Sequence, residues 1–326
     1  MKEFLKVYFK EFKNFQHEDL KGDGGHRNYT RIKNANHSFI LMSCGLYDLS
    51  LKKFIKTQNR LKAYVKVPQL FQYDLKKGLL LLEDLGNKSL ESIYFRKGEI
   101  NSLFFYQKAL KQLIQIQSKI STKRQDPSFD KDFFLKEIEQ AICDIEKYLF
   151  TFSKIRFIDK KKVSQFNKEF QNILEFILRE EDFVFCHRDY HSRNLMLKNQ
   201  QIYIIDFQDS GKGPWFYDLT SLLYDSYIPL KYKKEMSLFY LQNLPPILAK
   251  KVKKYSHLEK MIQLQFLQRG FKACGRFCAF KLENNKNSHL KYVPRTLNLL
   301  RSIAHKHSYK AIADYAQHIL NTFSMP

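Results

Sequence analysis

An α+β architecture in two lobes, a small strand-rich N-terminal lobe followed by a larger and mostly helical C-terminal lobe, is the fold class this sequence predicts. Three observations carry it. Within the first 86 residues, short apolar runs of strand length recur, "SFILMSC", "QLFQYD" and "GLLLLED". From about residue 100 onward, apolar residues return mainly at helical spacing, as in "FYQKALKQLIQIQ" and "FLKEIEQAICDIEKYL". One segment breaks that helical rhythm: "LMLKNQQIYIID" reads as a β-hairpin within residues 183–206.

The elements follow in order. Residues 1–16 mix Lys and Glu into an apolar repeat, "MKEFLKVYFKEFKNF", which predicts an amphipathic helix and not a signal peptide. A glycine-rich turn, "KGDGGHRNYTRI", comes next. It leads into the strand "SFILMSC", a helix around "LSLKKFIKTQNRLKAY", and the two further strands. Asp84 and Gly86 in "EDLG" suit a chain leaving a strand, so the joint is expected at 83–86, with lobes over 1–86 and 87–326.

Composition narrows the class. A chain of 326 residues with 44% hydrophobic and 27% charged residues can bury a substantial core, which excludes a disordered protein. Its longest apolar runs fall far short of the ~20 residues that span a bilayer, so no membrane association and a cytoplasmic location are expected. The five cysteines are scattered without a CxxC pair, which predicts reduced thiols and no zinc site. A formal charge of +23 attracts anions in general. The lysines are nonetheless dispersed and the aromatics do not follow an RNA-binding pattern, so no nucleic-acid partner is expected. Oligomeric state leaves no signature.

The chemistry is concentrated in "FCHRDYHSRNLMLKNQQIYIIDFQDSG". Phosphoryl transfer needs a carboxylate to orient the attacking hydroxyl and hard oxygens to hold Mg2+ on the phosphates. His187-Arg188-Asp189, four residues, then Asn194 matches the catalytic-loop pattern H-R-D-x-x-x-x-N. The hairpin then returns the chain so that Asp206 arrives beside them. Asp189 is the candidate catalytic base, and Asn194 and Asp206 are the candidate Mg2+ ligands. Singly, each has a structural reading as a turn or cap residue; the spacing and the hairpin together favour phosphoryl transfer. Asp218 opens a predicted helix and is read as a cap or as a support of the catalytic-loop backbone.

"HRDYHSRNLM" and "IIDFQDSGKGPWFYDLTSLLYDSYI" resemble the aminoglycoside-phosphotransferase-like kinases, and within them the bacterial anomeric kinases of N-acetylmuramate and N-acetylglucosamine. "GDGGHRNYTRI", "VPQLFQYDLKKGLLLLEDLG", "LQRGFKACGRFC" and "YVPRTLNLL" extend the likeness from about residue 20 to residue 300. The resemblance implies a protein-kinase-like fold, an N-terminal nucleotide-binding lobe, ATP and Mg2+ as cofactors, and a sugar hydroxyl as acceptor. It places Gly24 at the nucleotide loop and Glu83 and Leu85 at an adenine hinge. Met42, counted among the candidate nucleotide contacts, stands where a protein kinase carries its strand lysine, and the following helix has no acidic residue. Both members of that ion pair are absent together, as expected when an unpaired buried carboxylate is costly. Arg27 and Arg31 become the candidates for holding the phosphates.

His191, Arg193, Gln208 and Asp209 are candidate sugar contacts, since a sugar pocket needs several directed polar groups. Two other readings stay open. A kinase of a cationic alcohol, such as an aminoglycoside or choline, wants an acidic pocket that the basic chain does not suggest. A non-catalytic pseudokinase-type binding protein would find support in the missing lysine–glutamate pair, against the retention of Asp189, Asn194 and Asp206.

Overall fold

The computed structural model describes residues 4–5, 16–20, 27–34, 37–46, 48–154, 160–179, 182–252 and 254–323. Of the helix expected over 1–16, residues 4 and 5 are described and helical, and Gln16 already belongs to a strand. Gly22, Gly24 and Gly25 lie outside the described residues.

Five antiparallel strands form the first sheet: β1 (Gln16–Leu20), β2 (Asn28–Lys33), β3 (Ser38–Ser43), β4 (Leu70–Asp74) and β5 (Leu79–Glu83), in the order β1-β2-β3-β5-β4. Side chains alternate across a strand, and both faces are used. Leu79 and Leu81 join Phe39, Leu41 and Ile32 in a small core on one face. Leu80, Leu82 and Met42 enter the main core on the other. Each fully buried leucine stabilises by ~1.5–3 kcal/mol, so β5 anchors the sheet. Helix α1 (Leu49–Leu61) follows β3, its first turn capped by Asp48, which accepts the Ser50 N–H at 2.7 Å.

Beyond β5 the chain is mostly helical: α2 (Leu90–Lys97), α3 (Glu99–Lys119), α4 (Lys131–Ser153) and α5 (Lys160–Ile177). Ser89 caps α2 and Asp130 caps α4. Four short strands follow. β6 (Phe183–Cys186) pairs with β9 (Gly211–Pro214), and β7 (Leu195–Lys198) pairs with β8 (Gln201–Ile204) in the predicted hairpin. Asn199 and Gln200 both have positive φ, 49° and 60°, as a two-residue turn matched to strand twist requires. The chain closes with α6 (Tyr217–Leu223), α7 (Lys233–Gln242), α8 (Pro246–Ala249), α9 (Tyr255–Asn284), α10 (Val293–Lys306) and α11 (Lys310–Thr322). Buried residues occur on all sides of α9, which makes it the central helix of the larger part. All five cysteines are free. Among the described residues no helix is long and apolar enough to cross a membrane.

Candidate active site

Buried β6 delivers the chain to His187. There the backbone turns into a conformation that non-glycine residues avoid: Arg188 has a φ of 81°. Such a residue stores ~1–3 kcal/mol and persists when its surroundings hold it. Asp218, in the first turn of α6, accepts the His187 N–H at 2.6 Å and the Arg188 N–H at 3.0 Å. Arg269 of α9 donates to the Arg188 carbonyl at 2.9 Å. Asp218 therefore supports the loop backbone. Burial pushes its carboxyl above the usual range, against the pull of His187 and Arg269 and of its N–H donors.

The turn leaves Asp189 facing a cavity of about 1050 Å³ between the sheet and the helices. Burial by itself would raise the Asp189 carboxyl, but the charges of Lys272 and Arg269, together with His191 and Arg188, hold it far below the ordinary carboxylate range. The Asp189 N–H donates to His187 Nδ1 at 3.2 Å, and His187 Nε2 lies 2.9 Å from the Ile205 carbonyl. Ile205 in turn donates its N–H to the Asn194 carbonyl at 3.0 Å. These bonds stitch the loop to the strand that ends at Asp206. Asn194 donates its side-chain Nδ2–H to the Asp189 carbonyl at 3.0 Å, which leaves the side-chain Oδ1, the kind of atom a hard cation wants. Asp206 is exposed, with a φ of 62°, and accepts from Gln208 Nε2 at 2.7 Å. Asp189, Asn194 and Asp206 all line the same cavity. Among the described residues no group of three His, Cys, Asp or Glu forms a protein-only metal cage. Two oxygen ligands from the chain fit Mg2+, which keeps waters and takes phosphate oxygens for the rest.

The other expected site residues divide. Arg27, Glu83, Leu85, His191, Arg193, Gln208 and Asp209 line the cavity. Arg27 reaches the Tyr29 hydroxyl, which also feels Asp206. His191 is half-buried within the cleft, its buried Nδ1 has no partner, and desolvation lowers its pKa. Gln208 is a support of Asp206. Arg193 packs 3.7 Å over the Tyr227 ring and donates to Glu91 and to the Tyr292 hydroxyl at 3.1 Å, bracing the cleft wall. Glu83 is committed as well: its N–H donates to the Gln69 carbonyl at 2.8 Å and its carboxylate accepts from Lys198 Nζ at 2.7 Å.

Two expectations are corrected. Met42 is fully buried in the main core, opposite Tyr29 and Leu80, so it packs beneath the sheet and does not line the cavity. Arg31 lines the cavity, but its guanidinium is spent. It grips Asp84 through Nε at 2.7 Å and Nη2 at 3.2 Å, reaches Asn87 at 2.6 Å, and meets Glu18 at 3.3 Å. It braces the hinge and does not offer a free cation to phosphates.

Sequence reading missed Arg269, Lys272 and Asp225. Arg269 and Lys272 stand three residues apart in a buried helix, hence on one face, and that pairing of cations inside "LQRGFKACGRFC" was the available signal. Asp225 accepts the Ser192 N–H at 2.9 Å and fixes the far end of the loop.

A family model described as the phosphotransferase enzyme family matches residues 17–231. An N-acetylmuramate/N-acetylglucosamine kinase of Neisseria meningitidis is 25% identical over 94% of this chain and 91% of its own length. A protein of the same name from Pseudomonas aeruginosa is 30% identical over 63% of this chain and 59% of its own length. Among solved structures, a choline kinase from Cryptosporidium parvum superimposes with a TM-score of 0.65, covering 98% of this chain and 97% of that one at 12% identity. A choline kinase from Streptococcus pneumoniae gives a TM-score of 0.61, covering 93% and 99% at 15% identity. At such identities the structural likeness speaks for the fold, which is protein-kinase-like.

Proposed function

Because this chain belongs to the phosphotransferase enzyme family, we propose that it transfers the γ-phosphoryl group of ATP to a sugar hydroxyl, the anomeric hydroxyl of N-acetylmuramate or N-acetylglucosamine. The observation that carries the reading is the convergence of Asp189, Asn194 and Asp206 on one cavity. The names of the relatives, one of them aligned along nearly the whole chain, support the choice of acceptor.

In this reading Asp189 accepts a hydrogen bond from the attacking hydroxyl and aims it. A carboxylate so firmly ionised is a weak base, which suits a reaction whose transition state is loose and whose proton leaves late. Asn194 and Asp206 would hold Mg2+, which supplies charge neutralisation on the phosphates when bound. Gln208 keeps the Asp206 carboxylate oriented. Arg27 stands for the phosphates in the role first shared with Arg31. Leu85, buried at the hinge and lining the cavity, presents backbone to adenine. His191, with its unpartnered Nδ1, and exposed Asp209 face the acceptor.

The test is ADP release with Mg-ATP against N-acetylmuramate, N-acetylglucosamine, glucose, an aminoglycoside and choline, with Asp189→Asn as control. Turnover on the two amino sugars that vanishes in the variant is the expected result. Turnover confined to choline or the aminoglycoside overturns the acceptor, and nucleotide binding without turnover on any of them favours a binding role.

A further inference from the structure

Arg188 is pinned at three points by three helices. Asp218 of α6 holds its N–H and Arg269 of α9 holds its carbonyl. The third pin takes the side chain. Glu137 of α4 accepts from Arg188 Nη2 at 3.1 Å, and Phe133, one turn earlier on the same helix, lies under the guanidinium at 5.1 Å. Glu137 does not serve Arg188 alone. Its carboxylate also receives Lys272 Nζ at 2.9 Å and Gln268 Nε2 at 2.9 Å, both from α9. A carboxylate buried by α4 and α9 thus holds the two cations that flank Asp189, one from the catalytic loop and one from the cleft wall.

Protein kinases that switch order their activation loops with new arginine–phosphate pairs. This chain has no segment ending in A-P-E after Asp206, and its loop arginine already has an anion. We propose that Glu137 is a positioning residue for phosphoryl transfer, a permanent carboxylate that fixes Arg188 and Lys272 around Asp189 and makes the catalytic loop competent without phosphorylation. Removing its charge releases both cations from their fixed places. Arg188, at a φ of 81°, then loses the side-chain anchor of a strained backbone, and Asp189, the next residue, loses its aim. This rests on phosphoryl transfer at Asp189 and is independent of which acceptor is used.

The experiment compares wild type with Glu137→Gln, Arg188→Met and their double variant, with Glu175→Gln, in an exposed pair with Lys131, as control. Each single variant is expected to lose about 10²-fold in kcat, the order of loss for a reacting group displaced by an ångström, with KM for ATP and acceptor changed less than about twofold, as for an interaction made in the transition state. The double variant should lose no more than the worse single one, because both changes break the same contact. Amide exchange over residues 185–194 should quicken in both variants and stay unchanged in the five-stranded sheet; this readout needs no acceptor. Phosphatase treatment of the wild type should leave kcat unchanged. Wild-type kcat per folded Glu137→Gln molecule, losses that multiply in the double variant, or activity lost to phosphatase would each overturn the proposal. Should Glu137→Gln fail to fold, Arg188→Met carries both readouts. A wild type idle on amino sugars counts against the acceptor, while the exchange comparison still decides the role of Glu137.

Discussion

At Asp189 three cations and an imidazole outweigh the burial that would otherwise raise a carboxyl. The expected consequence is a reaction with no acid limb from this residue near neutrality: at saturating Mg2+ and ATP, kcat should be level between pH 6 and pH 8. Burial likewise lowers the pKa of His191 from its ordinary value, against the pull of Asp225 and Asp189. A titration midpoint near 7 in kcat would count against this picture of the site. Asp189→Asn should remove about 10²–10⁴-fold of kcat, the usual contribution of a positioned acid–base group, without loss of nucleotide binding. Asp189, Asn194 and Asp206 were legible in the sequence because one short segment holds all three at set intervals. Arg31 was not. Its partner Asp84 is 53 positions away, and nothing near Arg31 says that its charge is already used.

Among the elements, the hinge after β5 is held by charge. Burial alone would raise Asp84, but its bonds to Arg31, Ser38 and the Gly86 N–H bring its carboxyl below the ordinary value. A folded-state pKa depressed in this way contributes stability that is present above about pH 4, the unfolded value, and is lost as pH falls through the folded one. Asp84→Asn should therefore lower Tm at pH 7 and flatten the further fall between pH 5 and pH 3. Its cost should reach up to about 3 kcal/mol, the low end for breaking a buried pair, since Glu18 and Asn87 remain on Arg31. Helices α4 and α9 make a different kind of contact. A Cβ at Gly275 would stand 2.5 Å from Ala141 Cα, so glycine there permits the close approach that lets Glu137 and Lys272 meet. Gly275→Ala should cost about 1–3 kcal/mol by overpacking, read as a lower denaturant midpoint. The helices and strands β3, β4 and β5 were legible from their apolar residues, whereas β2, an inner strand, lay within what reads as a glycine-rich turn. Strand β1, "QHEDL", is polar and mostly exposed, and β9, "GKGP", has no strand former; each is a strand because a neighbour supplies its hydrogen bonds.

On the scale of the whole molecule the cleft joins the sheet to the helices, so a ligand that fills it should stabilise both parts together. Mg-ATP at 100 times its Kd is worth about 2.7 kcal/mol, or a Tm rise of roughly 4 °C for a chain of this size; chelating Mg2+ should remove most of the shift. An unchanged Tm with nucleotide present would speak against the nucleotide reading of the cavity. The two-part α+β plan, the order of elements from β3 onward, the hairpin before Asp206 and the triplet of Asp189, Asn194 and Asp206 were determined by the sequence alone, because periodicity and fixed spacing act through near neighbours in the chain. Tertiary structure decided what the charges do: that Arg31 braces the hinge, that Asp218 carries the loop, and that Arg269, Lys272 and Glu137 surround the catalytic turn. Those pairings join residues tens of positions apart, and a charge shows its use only when folding brings its partner within bonding distance.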